Sequence, residues 1–206
     1  MRTFWHSGWS PKGNALANLV MMALRPKFTG ISAARRYKLA RTLIDEALDR
    51  FRSAPDTPLI GCQTSNCFGC CLHQKEVDTS DYEVRRILNR VESENRLTDV
   101  VSRAEAIVKK EGGACPLLSK EGRCTVYDIR PVTCAAYHSL DRAACHSGAQ
   151  ADIPFHEILY IETTVISAFG MVPVEMMDGQ RSLPKVRLFK ELAARGRARL
   201  EARRAA

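Results

Sequence analysis

The sequence predicts a mainly α protein whose helices pack around a cysteine-rich, loop-built metal-binding core. Three observations predict it. Apolar residues recur at helical spacing in several separate segments. All eight cysteines (Cys62, Cys67, Cys70, Cys71, Cys115, Cys124, Cys134 and Cys145) lie between positions 62 and 145, and none falls in the first or last 61 residues. The stretches that carry most of them are rich in turn residues and poor in periodicity.

Residues 1–14 mix Trp5, Trp9, Pro11 and two glycines and read as irregular. Ala15 to Leu24 is a short helix candidate, punctuated by Pro26 and Gly30. Ser32 is a plausible N-cap for an amphipathic helix to about Arg52, with Tyr37, Ala40, Ile44, Ala47, Leu48 and Phe51 on one stripe. Pro55 and Pro58 end it, and residues 59–75 read as loop. Ser80-Asp81-Tyr82-Glu83 matches a capping box, followed by the stripe Val84, Ile87, Leu88 and Val91.

A further helix begins near Thr98, carries Val100, Val101, Ala104, Ile107 and Val108, and stops at Gly112-Gly113. Thr125-Val126-Tyr127 suits a short strand or a loop, with Tyr127 in the core. Pro131 opens a short helix that sets Cys134 and His138 four residues apart on one face. Pro154 starts another helix to about Phe169, and Pro184 starts the last, which fades into a frayed tail from Arg195 to Ala206. The segments group as a basic helical portion (1–58), a cysteine-cluster portion (59–150) and C-terminal helices with a basic tail (151–206), together one compact domain.

A chain of 206 residues buries a sufficient core without disulfides, so the cysteines need another reason. The apolar stretch 15–24 is too short to span a bilayer and lacks a convincing cleavage site. The expected location is therefore the cytoplasm, where clustered thiols mean metal or catalysis. No Ser-His-Asp order, H-E-x-x-H pattern, P-loop or G-x-G-x-x-G turn is present.

Cys67 and Cys70 form a C-x-x-C pair that can present two thiolates to one metal. Cys71 follows directly, and side chains of adjacent residues usually diverge. That pair is therefore expected to serve two metals, a multinuclear cluster, or one metal plus a buried thiol. Cys115, Cys124 and Cys134 are spaced irregularly for a zinc finger. One tetrahedral zinc takes four ligands, so two zincs or an iron–sulfur cluster accounts better for the number of thiols.

Cys62-Gln-Thr-Ser-Asn-Cys67-Phe-Gly-Cys70-Cys71 is followed by Cys115-Pro-Leu-Leu, Gly122-Arg-Cys124-Thr-Val-Tyr127 and Arg130-Pro-Val-Thr-Cys134. Together these segments resemble the YkgJ-type family named for its CxxCxxCC motif, over residues 62–138. Two departures stand out: Cys62 sits four residues before the next cysteine with Thr64 between, and Ala135 stands where relatives often carry Arg. The resemblance implies an iron–sulfur or zinc-chelating site with Cys62, Cys67, Cys70, Cys71, Cys115, Cys124 and Cys134 as metal ligands. One branch of the family comprises larger flagellin lysine N-methylases that use S-adenosylmethionine. Cys145, His138 and His73 are further ligand candidates, and Arg130 suits either a cluster sulfur, an anion or Asp128.

Charge is unevenly placed: net +7 over 1–53, −6 over 54–180 and +7 over 181–206. Basic ends attract nucleic acid or an acidic protein, although solvated helix faces explain them as well. Three functions remain open. The first is a protein holding an iron–sulfur cluster. The second is a zinc-stabilised adaptor whose basic ends bind nucleic acid or an acidic partner. The third is an S-adenosylmethionine-dependent protein lysine N-methyltransferase.

Overall fold

The strongest local signal, the capping box at Ser80, is realised in full. In a computed structural model, which describes Ala15, Leu19 and residues 33–53, 68–73, 76–110, 112–136, 142–147 and 186–205, the Ser80 hydroxyl accepts from Glu83 N while the Glu83 carboxylate accepts from Ser80 N. The described residues are mostly helical. The helix expected over Pro154–Phe169 and most of the one expected at Ala15–Leu24 lie outside them.

Two compact units emerge. The first comprises residues 1–60, 135–138 and 152–184, the second 61–134, 139–151 and 185–206. In the first, helix α1 (Ala33–Arg52) follows the predicted bounds and buries Ile44 completely. Arg41 and Asp45 pair across one of its turns at 2.9 Å.

The second unit carries the remaining described elements, apart from Ala135 and Ala136, which group with the first. These are α2 (Gly69–Leu72), β1 (Asp78–Thr79), α3 (Asp81–Ser93), α4 (Leu97–Lys110), a 3₁₀ turn (Tyr127–Ile129), α5 (Val132–Ala136), α6 (Arg142–Ser147), β2 (Val186–Arg187) and α7 (Leu188–Ala205). The stripes read from sequence form its core. Val84, Ile87, Leu88 and Val91 of α3 meet Leu97, Val100, Val101, Ala104 and Ile107 of α4 and Leu188, Phe189 and Leu192 of α7. Asn95 takes a left-handed φ of 57° between α3 and α4, a conformation asparagine tolerates better than most residues.

The C-terminal segment departs from expectation. It does not fade at Arg195 but stays helical to Ala205. Two causes are visible. Gly196 is buried where a Cβ would overlap Val101 Cγ2, so the absent side chain lets α7 lie close on α4. The arginines then meet carboxylates of α3 and α4: Arg195 pairs with Asp81, Arg197 with Glu105, and Arg199 and Arg203 with Glu92 at 2.6 and 2.8 Å. Exposed pairs each contribute little, about 0–1 kcal/mol, but here they act with the buried leucines and Phe189 beneath them.

The start of α7 is held in the same way. β2 pairs antiparallel with β1, Asp78 opposite Arg187 and Thr79 opposite Val186. The Glu76 carboxylate accepts from Phe189 N at 2.7 Å, satisfying one of the amides a helix N-terminus leaves open. This strand pair was not read from the sequence, because two-residue strands carry no periodicity.

Candidate metal centre

The first cysteine group was expected as loop. Its described part is instead the short helix α2, with Cys70 and Cys71 inside it. Cys62 and Cys67 lie outside the described residues, as does His138. The described cysteines Cys70, Cys71, Cys115, Cys124 and Cys134 are free thiols, each partly exposed.

Backbone contacts bring the second group to the first. Cys115 N donates to Cys71 O at 2.6 Å, joining the two segments at their cysteines. The Cys115–Leu118 turn is clamped by Arg103 of α4, which donates from Nη1 to Leu118 O at 2.7 Å and from Nη2 to Cys115 O at 3.0 Å. Thr125 N and Oγ1 both donate to Leu117 O, and Leu118 forms an antiparallel bridge with Cys124. Thr125–Tyr127, expected as a short strand or a loop, is a turn that leads from the Cys124 bridge into the 3₁₀ turn. Gly122, at φ 73°, lies beneath Phe68, where a Cβ would stand 2.7 Å from Phe68 Cε1. A side chain there would collide with the ring that precedes α2.

Cys134 reaches the same region on α5. The N-terminus of α5 is fixed by Glu83, only 2 % exposed, whose Oε1 accepts from Val132 N at 2.9 Å. Its other oxygen accepts from Thr79 Oγ1, Ser80 N and Ser80 Oγ, each at 2.9 Å. Thr133 Oγ1 adds a bond to Asp78 O at 2.7 Å. One buried carboxylate thus ties the start of α3 to the helix that carries Cys134. Cys115, Cys124 and Cys134 pack against the aliphatic cluster, so the described core is apolar with these cysteines at its edge.

The adjacent pair corrects the expectation that neighbouring thiols diverge. Cys70 Sγ and Cys71 Sγ stand 3.9 Å apart. An ion held at roughly 2.3 Å by each of two sulfurs in tetrahedral geometry separates them by about 3.8 Å. The donor set therefore fits a thiophilic metal in both chemistry and spacing at this edge. Among the described residues, however, no three His, Cys, Asp or Glu side chains already form a closed ligand group.

The thiols feel one another. Cys70 is held well above the ordinary thiol range, first by its hydrogen bond with Cys71 and then by burial. Cys71 is pushed up to about 12, chiefly by its hydrogen bond with Cys115, with burial adding to it and the bond from Cys70 opposing it. Burial raises Cys134, reinforced by the charges of Cys71, Cys70 and Cys124. Burial also raises Cys124, while Arg130 opposes. Metal-free, these groups are neutral at pH 7. A metal must displace their protons to bind.

Two side chains of the second group behave differently from expectation. Tyr127 is not in the core: it is 63 % exposed, with the Arg130 guanidinium 3.9 Å above its ring. Asp128, considered as a partner for Arg130, pairs with Arg90 at 2.7 Å. His73 is exposed, and its Nε2 lies 2.9 Å from His146 O. Cys145 lies in α6. Sequence reading passed over Glu83 and Arg103 as site residues. Glu83 carried a signal, the capping box, but only for a helix start.

No helix among the described residues is long and apolar enough to cross a membrane. No curated protein and no solved structure matches the chain. One family model does match. It spans residues 61–153 and so encloses all eight cysteines. That segment is similar to the CxxCxxCC family, whose description is "Putative zinc- or iron-chelating domain".

Proposed function

We propose that the protein holds an iron–sulfur cluster on its CxxCxxCC segment, with Cys67, Cys70, Cys71, Cys115, Cys124 and Cys134 as the principal ligands and Cys62 as a further one. The carrying observation is the close Cys70–Cys71 pair with Cys115 joined to it through the backbone, on the segment that also holds Cys124 and Cys134. Two thiols stand at 3.9 Å, a backbone bond joins Cys115 to Cys71, and the pKa values of Cys70, Cys71, Cys124 and Cys134 are each raised in part by neighbouring cysteines. Together with Cys67 they exceed the four ligands of a single zinc. A cluster spread over two or more irons uses such a set without leaving several buried thiols idle. Free thiols of this kind suit a reducing compartment, in keeping with a cytoplasmic location.

Zinc is the second reading, favoured by the fit of the Cys70–Cys71 separation to one tetrahedral ion. The adaptor alternative gains nothing from the C-terminal arginines, several of which are engaged with carboxylates of the same unit. The methyltransferase alternative rests on the resemblance to one family branch alone.

Purification without oxygen, followed by absorption spectroscopy and metal analysis, separates the first two readings. A coloured protein with iron and acid-labile sulfide in equal amounts is the expected result. A colourless protein carrying stoichiometric zinc, and unable to take up a cluster on reconstitution, overturns the iron–sulfur reading and leaves metal chelation standing.

A further inference from the structure

His146 is the polar side chain in the cysteine segment that its surroundings leave unexplained. Its Nε2 is buried and has no hydrogen-bond partner among the described residues. Burying an imidazole nitrogen without a partner is unfavourable, and such groups in folded proteins call for a reason.

The position of the residue supplies one. The His146 ring meets Phe68 edge-on, with centroids 5.2 Å apart and planes at 74°. Its carbonyl accepts from His73 Nε2 at 2.9 Å. Phe68 immediately precedes α2 and His73 immediately follows it, so His146 bridges the two ends of the helix that holds Cys70 and Cys71. Helix α6 packs on α2 along this line. The bond to the carbonyl also places the His73 proton on Nε2, which occupies that nitrogen. Between the two histidines beside α2, His146 is the one with a buried nitrogen free to bind.

We propose that His146 supplies a nitrogen ligand, through Nε2, to the metal centre built on Cys70 and Cys71. The inference rests on the metal-binding reading above and extends it to a mixed sulfur–nitrogen shell. Neutral imidazole is a ligand for both zinc and iron. Binding would give the buried nitrogen the partner it lacks among the described residues and would draw α6 onto the site. In an iron–sulfur centre, replacing a thiolate by an imidazole removes negative charge and raises the reduction potential.

The test is X-ray absorption at the edge of whichever metal the full-length protein carries after anaerobic purification. Imidazole scattering in the wild-type spectrum, lost in His146→Gln, is the expected result. The same scattering retained in the combined variant H6Q/H73Q/H138Q/H156Q, where His146 is the remaining histidine, assigns it independently should H146Q fail to fold. A wild-type shell of sulfur alone, or imidazole scattering that persists unchanged in folded H146Q, overturns the proposal while leaving the metal centre intact. A protein that binds neither iron nor zinc overturns the metal-binding reading itself, and this inference with it.

Discussion

Replacement of Glu83 tests whether one buried carboxylate organises both the start of α3 and the Cys134 helix. Its two oxygens accept from Thr79 Oγ1, Ser80 N, Ser80 Oγ and Val132 N. Glu83→Gln keeps one carbonyl oxygen, which can still accept from Val132 N. Its amide NH₂ then faces Ser80 N, a donor against a donor. The Thr79 and Ser80 hydroxyls can rotate to accept instead, but the backbone amide cannot. One buried unsatisfied N–H costs about 1–3 kcal/mol. Glu83→Ala removes every acceptor at once and strands both Ser80 N and Val132 N, a loss on the order of 3–5 kcal/mol. Urea denaturation followed by circular dichroism, on the metal-free protein with reductant, measures both. The expected order of stability is wild type, then E83Q, then E83A. The alanine variant should also expose Cys134 to a thiol reagent in the folded state, because α5 loses the bond at its N-terminus. If both variants fall within about 0.5 kcal/mol of wild type, as ordinary surface substitutions do, the carboxylate is not holding these elements and the argument fails.

Three further perturbations follow from the same geometry. Arg103→Met keeps the aliphatic stem but withdraws two charged hydrogen bonds from the Cys115 and Leu118 carbonyls. We expect a loss of about 2–4 kcal/mol and a metal content on purification below half that of wild type, read by denaturation and elemental analysis. Gly196→Leu improves helix propensity but forces a side chain into Val101. A net loss of about 1–3 kcal/mol is expected from overpacking, and a rise in melting temperature would show that α7 and α4 are not closely packed there. Raising the pH should destabilise the metal-free protein. Its buried thiols, Cys71 at about 12 among them, keep their protons in the fold to a higher pH than in the unfolded chain. This contribution is therefore whole below the unfolded thiol range, roughly 8.5, and is lost as pH climbs from there towards 12. A melting temperature that holds steady between neutral pH and pH 10, with chelator and reductant present, would contradict the assigned burial.

Much of the fold was local enough to read. The stripes on α3 and α4 recur every three or four residues because one face of each helix must leave water, and their residues are the ones buried. The capping box at Ser80 and Glu83 spans four residues and carries its own geometry. Cysteine spacing likewise pointed to metal chelation, and the segment that carries it matches a family model described as "Putative zinc- or iron-chelating domain". What the sequence could not convey involves partners far apart along the chain. Tyr127 looks like a core aromatic by type, yet it lies on the surface beneath Arg130, because the buried apolar places in this region belong to Val126 and Ile129. The C-terminal arginines looked like a frayed basic tail. Their carboxylate partners stand on helices about a hundred residues earlier, and only packing through Gly196 brings them within reach.

The amino-acid sequence by itself determined the helices of the described core, their apolar faces and the chemistry of the site, because these depend on residue type and on neighbours a few positions away. Tertiary structure alone decided that Cys70 and Cys71 converge rather than diverge, that Glu83 reaches the Cys134 helix, that Arg103 clamps the Cys115 turn and that His146 turns a buried nitrogen beside α2. The last three are contacts between segments whose separation in sequence carries no periodic signal, and the first depends on the short helix α2, which the sequence offered only as loop.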